Sequence, residues 1–259
     1  MFAICNLSIV SVRSEPSHKS EQITQMLYGE TCIITKKTDN GWCYIRIDFD
    51  NYEGWINEKQ IQLIDEITYY EIKTNLPRYA SDLFDYVQLS EKEYDIQTIT
   101  LGATVSNASA LGHIFKGEIQ QGVSRKNLIK IAFQYINAPY LWGGKTPLGI
   151  DCSGFTQMVY KLSGVAIPRD ASEQAKVGTL IQNLNDAEIG DLAFFNNDAG
   201  RITHTGIILD NGYIIHAHGK VRVDKINENG IFNLDSEEYT HKLRMIRRFL
   251  YEEKKDYFY

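Results

Sequence analysis

At 259 residues the chain is long enough for a substantial core and exceeds the usual length of one domain, so two or three domains are expected. A net charge of −6 gives no basic footprint for nucleic acid or an anionic membrane, and 12% aromatic residues with only five prolines exclude a disordered chain. No apolar run of about 18 residues is present, and Met1-Phe2-Ala3-Ile4-Cys5 lacks the cationic start and long apolar core of a signal peptide. The expectation is a cytoplasmic protein, or a periplasmic or secreted one if a leader has been removed.

Residues 1–64 read as short strands separated by turn chemistry. Strand candidates are Ala3 to Val12, Gln25 to Leu27, Thr31 to Lys36, Trp42 to Ile47 and Tyr52 to Ile56, with Asp39-Asn40-Gly41 and Asp48 to Asn51 as turns. Several close-spaced strands without a helix predict a small β-barrel. Residues 65–121, with Tyr94 to Val105 and His113 to Ile119 broken by Gly102, Gly112 and Gly117, predict a second, divergent barrel.

From 122 to 259 the pattern changes. Ile129, Ala132, Phe133 and Ile136 are spaced for one helical face that ends before Pro139, and a glycine-rich loop, Tyr140 to Gly149, follows. A second helix runs from Asp151 to Leu162, and a short helical stretch follows Pro168. Strands are expected at Asp191 to Phe195, Thr205 to Leu209, Tyr213 to Ala217 and Lys220 to Val223. Helices first and an antiparallel sheet later define an α+β domain.

Of the four cysteines, Cys5, Cys32, Cys43 and Cys152, none forms a CxxC pair or a metal-ligand spacing, so no metal site is expected. Cys32 and Cys43, in apolar strand segments, read as buried reduced thiols. Cys152 differs, because it opens a helix capped by Asp151, where the positive end of the helix dipole favours a thiolate. Ser153 and Gly154 leave room for a substrate backbone.

A thiolate nucleophile needs a base, and the base needs an orienting group. His204 and His216 flank a hairpin. A two-residue Asn211-Gly212 turn would pair Ile207 with His216 and set the histidines on opposite faces, whereas a three-residue loop, Asp210 to Gly212, pairs Gly206 with His216 and brings both to one face as diagonal neighbours. The same register sets His218 opposite His204, so spacing leaves His216 and His218 both open as the orienting group.

Several ordered motifs together resemble the NlpC/p60 cysteine peptidases over residues 124 to 250. They are Pro139-Tyr140-Leu141-Trp142-Gly143-Gly144, Asp151-Cys152-Ser153-Gly154, Pro168-Arg169-Asp170 with Gln174, Gly190-Asp191-Leu192, His204 before Gly206-Ile207, and Ile215-His216-Ala217. Upstream, Val12-Arg13-Ser14-Glu15-Pro16, Ser20-Glu21, Gln25 to Glu30 and Tyr52-Glu53-Gly54-Trp55 resemble a bacterial SH3-like domain. That pairing is similar to the γ-D-glutamyl-L-diamino acid endopeptidases of dipeptidyl-peptidase VI type.

The resemblance implies a papain-like α+β domain behind two small SH3-like barrels. It implies Cys152 as nucleophile, His204 as base, His216 as third residue and Tyr140 as an oxyanion donor beside the sulfur. Asp151, Ser153 and Asp170 would line substrate subsites, while Glu15 and Tyr52 would read the free amine of an N-terminal L-Ala. Ala171 departs from the serine often found there. Arg13 and Arg169 could meet substrate carboxylates, whereas Lys145 reads as a solvated cation. The implied reaction is hydrolysis of the γ-D-Glu to meso-diaminopimelate bond in peptidoglycan peptides during murein recycling, by a monomer without metal or organic cofactor. The rival readings are a hydrolase of intact cell wall and a catalytically silent wall-binding module.

Overall fold

Ile9–Arg13 alternates half-buried and buried positions, the period of a strand with one face on a core. Six further strands join it in the computed structural model, which describes residues 1–92, 94–120 and 124–250. Strands β1 (Phe2–Ile4), β2 (Ile9–Arg13), β3 (Gln22–Leu27), β4 (Thr31–Lys37), β5 (Trp42–Ile47), β6 (Glu53–Asn57) and β7 (Gln62–Ile64) pair in the order β3-β2-β6-β5-β4-β1-β7. They form the small barrel expected. Its interior holds Val10, Val12, Met26, Ile34, Ile45, Ile47 and Ile56, with Cys5, Cys32 and Cys43 as free buried thiols.

The segment after it departs from the second barrel expected. Asp65 caps a helix, α1 (Glu66–Thr74), by accepting from the Thr68 N–H at 2.7 Å. Among the described residues one hairpin follows, β8 (Phe84–Gln88) with β9 (Ile96–Thr100). Val87 and Ile99 are buried, while Phe84, Tyr86 and Ile96 are about half exposed. One hairpin cannot close a barrel, and His113 to Ile119 supplies only isolated bridges, Ile114 to Gln88 and Ile119 to Ala80. The expected boundary between 121 and 122 lies outside the described residues.

In the last unit, Ser124 caps α2 (Arg125–Gln134). A short hairpin, β10 (Lys145–Thr146) with β11 (Gly149–Ile150), leads to α3 (Cys152–Leu162), and α4 (Ala171–Gln174) follows. The remaining strands are β12 (Thr179–Ile181), β13 (Leu192–Asn196), β14 (Ile202–Ile208), β15 (Tyr213–His218), β16 (Lys220–Asn227), β17 (Gly230–Asn233) and β18 (Glu238–Arg248). They pair in the order β12-β18-β13-β14-β15-β16-β17, and β17 returns to β18. Every residue of α3 is buried, so this helix is the axis on which the sheet and α2 pack.

The buried face of α2 is one residue round from the stripe expected. Leu128, Ile131, Ala132 and Tyr135 are in the core, whereas Phe133 and Ile136 are 44% and 39% exposed. Two adjacent stripes of this helix share the same period, and periodicity alone does not choose between them.

Candidate active site

Asp151 caps α3 and holds Cys152 at its first turn. The Asp151 carboxylate accepts from Gly154 N–H at 2.6 Å, Gly143 N–H at 2.8 Å, and both Arg169 guanidinium nitrogens at 3.0 and 2.7 Å. Arg169 also donates to Ser153 Oγ at 2.9 Å and to Thr24 Oγ1 of the barrel at 2.9 Å. Asp151 and Arg169 are therefore engaged with each other and with the α3 turn. Cys152 is only 6% exposed, and its Sγ lies 4.0 Å from the Thr203 carbonyl, next to His204.

Burial opposes the thiolate expected from the helix start. Burial pushes the Cys152 thiol up to about 12, and the neighbouring Asp151 charge adds to that. The helix dipole acts at the same atom but does not offset lost hydration and an adjacent carboxylate.

The hairpin forms in the register that places the histidines together. A three-residue turn, Asp210–Gly212, sets Gly206 opposite His216. Glycine is required there, since a Cβ at 206 would lie 2.8 Å from the His216 Cβ. His204 Nε2 and His216 Nδ1 are 2.8 Å apart, and both residues are buried. His218 is exposed, with its ring centre 6.4 Å from that of His204. Between the two residues left open by spacing, the hydrogen bond goes to His216.

Two residues missed in the sequence complete this cluster. His216 Nε2 lies 2.9 Å from Asp224 Oδ2, and Asp224 is itself fully buried. The His241 ring of β18 stacks on His204 at 4.0 Å. Burial, followed by the neighbouring histidines, holds His204 well below the ordinary imidazole range. Burial thus favours the uncharged form of both the thiol and the base.

The barrel forms part of the surroundings. Tyr52 donates to both Asp170 oxygens at 3.1 and 3.2 Å, and both residues are half-buried. Tyr140 is 37% exposed, and burial first of all raises its phenol. Glu15 is exposed on the β2–β3 loop, where its carbonyl accepts from Ser20 Oγ, and Arg13 donates to the Ser20 carbonyl at 2.6 Å. On the same loop, Glu21 rather than Glu15 reaches the catalytic half, accepting from the Trp142 indole at 2.6 Å. Lys145 is not the solvated cation expected. It is fully buried, with Nζ 3.3 Å from Glu30 Oε1.

A buried cysteine at a helix start and a hydrogen-bonded histidine pair on the hairpin beside it define a thiol hydrolase of the papain-like kind. The comparisons agree. Residues 137–237 match the NlpC/P60 family and residues 12–61 match the bacterial dipeptidyl-peptidase SH3 domain. The chain is 29% identical over 217 residues to the γ-D-glutamyl-L-lysine dipeptidyl-peptidase of Bacillus subtilis, covering 75% of this chain and 71% of that protein. It is 27% identical over 258 residues to dipeptidyl-peptidase 6 of Lysinibacillus sphaericus, covering 89% and 92%. The crystal structure of an NlpC/P60 family protein from Bacillus cereus superposes with a TM-score of 0.76 at 19% identity, covering 96% of this chain and all of that one. The chain therefore carries an NlpC/P60 cysteine peptidase domain behind a bacterial dipeptidyl-peptidase SH3 domain.

Proposed function

We propose that this peptidase cleaves the bond between γ-D-glutamate and the following diamino acid in peptidoglycan peptides that begin with free L-Ala. The observation that carries this reading is the Tyr52–Asp170 bond, which joins the barrel to the peptidase half next to the Arg169–Asp151 clamp. In this reading the barrel closes one end of a substrate cleft and limits the acyl side to two residues. The names of the Bacillus subtilis and Lysinibacillus sphaericus relatives support the dipeptidyl outcome. The diamino acid is taken as meso-diaminopimelate, with L-lysine as the comparison, and the setting as cytoplasmic murein recycling.

Chemically, Cys152 Sγ attacks the γ-carbonyl carbon while its proton passes to His204. The carbonyl π pair moves to oxygen, where the Cys152 N–H and the Tyr140 hydroxyl hold the oxyanion. Collapse breaks the C–N bond, His204 protonates the leaving amine, and L-Ala-γ-D-Glu remains as a thioester. Water, deprotonated by His204, hydrolyses it and restores the thiol. His216 orients the base, Asp151, Ser153 and Asp170 line the subsites, and Glu15 and Tyr52 read the substrate ammonium.

Mass analysis of products tests this on L-Ala-γ-D-Glu-diaminopimelate, its L-lysine analogue, its N-acetyl form and intact sacculi. The free tripeptides should release L-Ala-D-Glu. Kcat/KM should fall about tenfold or more on acetylation, since a carboxylate then loses a charge-assisted bond. Cys152→Ala should fold and be inactive. Equal rates on the acetylated peptide, or turnover by Cys152→Ala, would refute the reading.

A further inference from the structure

We propose that Asp224, clamped by Arg222, is a positioning residue that sets the proton order of the two histidines and leaves His204 Nδ1 bare to take the thiol proton. The proposal deepens the thiol-peptidase reading above and rests on it.

Donors and acceptors along the chain decide where each hydrogen sits. Asp224 accepts from Arg222 Nε at 2.6 Å, from Arg222 Nη2 at 2.9 Å and from the Leu234 N–H at 2.9 Å. Arg222 is held in turn by Asn233 Oδ1 at 3.2 Å and Asp235 Oδ2 at 2.8 Å. Burial works against the Asp224 charge, but the bonds from His216, Arg222 and Leu234 keep its carboxyl below the usual range. An ionised carboxylate only accepts, so the His216 Nε2 that faces it carries the hydrogen. A neutral His216 then has a lone pair on Nδ1, and the atom 2.8 Å away, His204 Nε2, must donate to it. A neutral His204 that donates from Nε2 has Nδ1 bare. The chain transmits one proton order from Asp224 to the base. Without it, the opposite order, with the hydrogen on His204 Nδ1, would leave no lone pair at that nitrogen for the thiol proton.

Because Asp224 also ties β16 to the start of the β17–β18 turn, the test needs readouts that a purely structural role would not move. In full-length protein labelled with ¹⁵N-histidine, the imidazole shifts report tautomers without any substrate. Both His204 and His216 should be protonated at Nε2. In Asp224→Asn, kcat should fall about a hundredfold or more with KM near that of the parent, by analogy with a triad whose carboxylate has become an amide. A parent His204 protonated at Nδ1, or a folded Asp224→Asn that keeps both the tautomer and kcat, overturns the proposal. If the variant does not fold, the parent spectrum alone decides. Turnover by Cys152→Ala would instead overturn the peptidase reading and leave the tautomer result standing.

Discussion

Glu30→Gln probes how firmly the barrel and the peptidase half form one body. The Glu30 carboxylate lies 2.6 Å from Lys161 Nζ and 3.3 Å from Lys145 Nζ, and it also accepts from the Leu27 N–H at 2.9 Å. Burial opposes its charge, yet Lys145 and Lys161 pull its carboxyl down to about 2. Two ammonium groups therefore depend on one carboxylate. Lys161 is partly compensated by the Gly102 carbonyl at 3.2 Å and by the faces of Phe49 and Tyr79, 5.0 and 4.8 Å away. Lys145 has less, and burial already lowers its pKa. Glutamine preserves the shape but removes the charge, leaving two buried cations without a counterion. Breaking such a group costs about 3–5 kcal/mol. At this chain length that corresponds to a Tm loss of roughly 6–20 °C. Thermal unfolding followed by circular dichroism at neutral pH measures it, and Glu30→Gln with Lys145→Met should recover part of the loss. A decrease under about 2 °C in the single variant would refute the claim that this cluster is dry and joins the two units.

Two further outcomes follow from the site. His216→Ala should lower kcat by about two to four powers of ten, whereas His218→Ala, at an exposed position, should stay within a few fold; the reverse order in steady-state kinetics would refute the pairing. His204, His216 and His241 are held neutral, each with a native pKa below the ordinary 6.5, by burial first of all. As pH falls through about 6.5 the unfolded chain gains protons that the native one does not, so stability is full above that point and declines below it. A Tm that stays level or rises between about pH 6.5 and 5 would refute this.

What was legible in the sequence was local. Cys43 to Ile47 alternates on its own, Asp151 is a cap by its neighbours, and the histidine register is one of the two that the turn residues allow. The misses are long-range. Lys145 looks solvated until Glu30, 115 residues away, is packed against it. The raised thiol of Cys152 depends on burial by the β14 hairpin, which no pattern around Cys152 encodes. Asp224 is legible from the same register. Carrying the register past Gly219 pairs His216 with Arg222 and Ile214 with Asp224, one diagonal step from His216. The second barrel failed for another reason, since short β-rich stretches predict strands but not whether enough of them pair to close.

The position of β3 bears on why a peptidase domain of this kind keeps a barrel. Gln22 donates to the Trp142 carbonyl at 3.1 Å, Thr24 accepts from Arg169, and Gln25 accepts from the Lys145 N–H at 2.8 Å. Gly143 lies so close to this strand that a Cβ would fall 2.6 Å from the Gln22 carbonyl. From β6's preceding turn, Asp50 accepts from Gln157 of α3 at 2.9 Å. The loop that leads to Cys152, the arginine that clamps its cap and the helix that carries it are all held partly from outside residues 137–237. Without the barrel, buried polar atoms of Arg169, Lys145 and Lys161 would lose their partners, at about 1–3 kcal/mol for each neutral bond and more for each charge. The same strand that stabilises the fold thus sets the aim of the α3 N-terminus at the hairpin histidines. Barrel and catalytic geometry cannot be varied independently, and Glu30→Gln is a graded form of removing the barrel altogether.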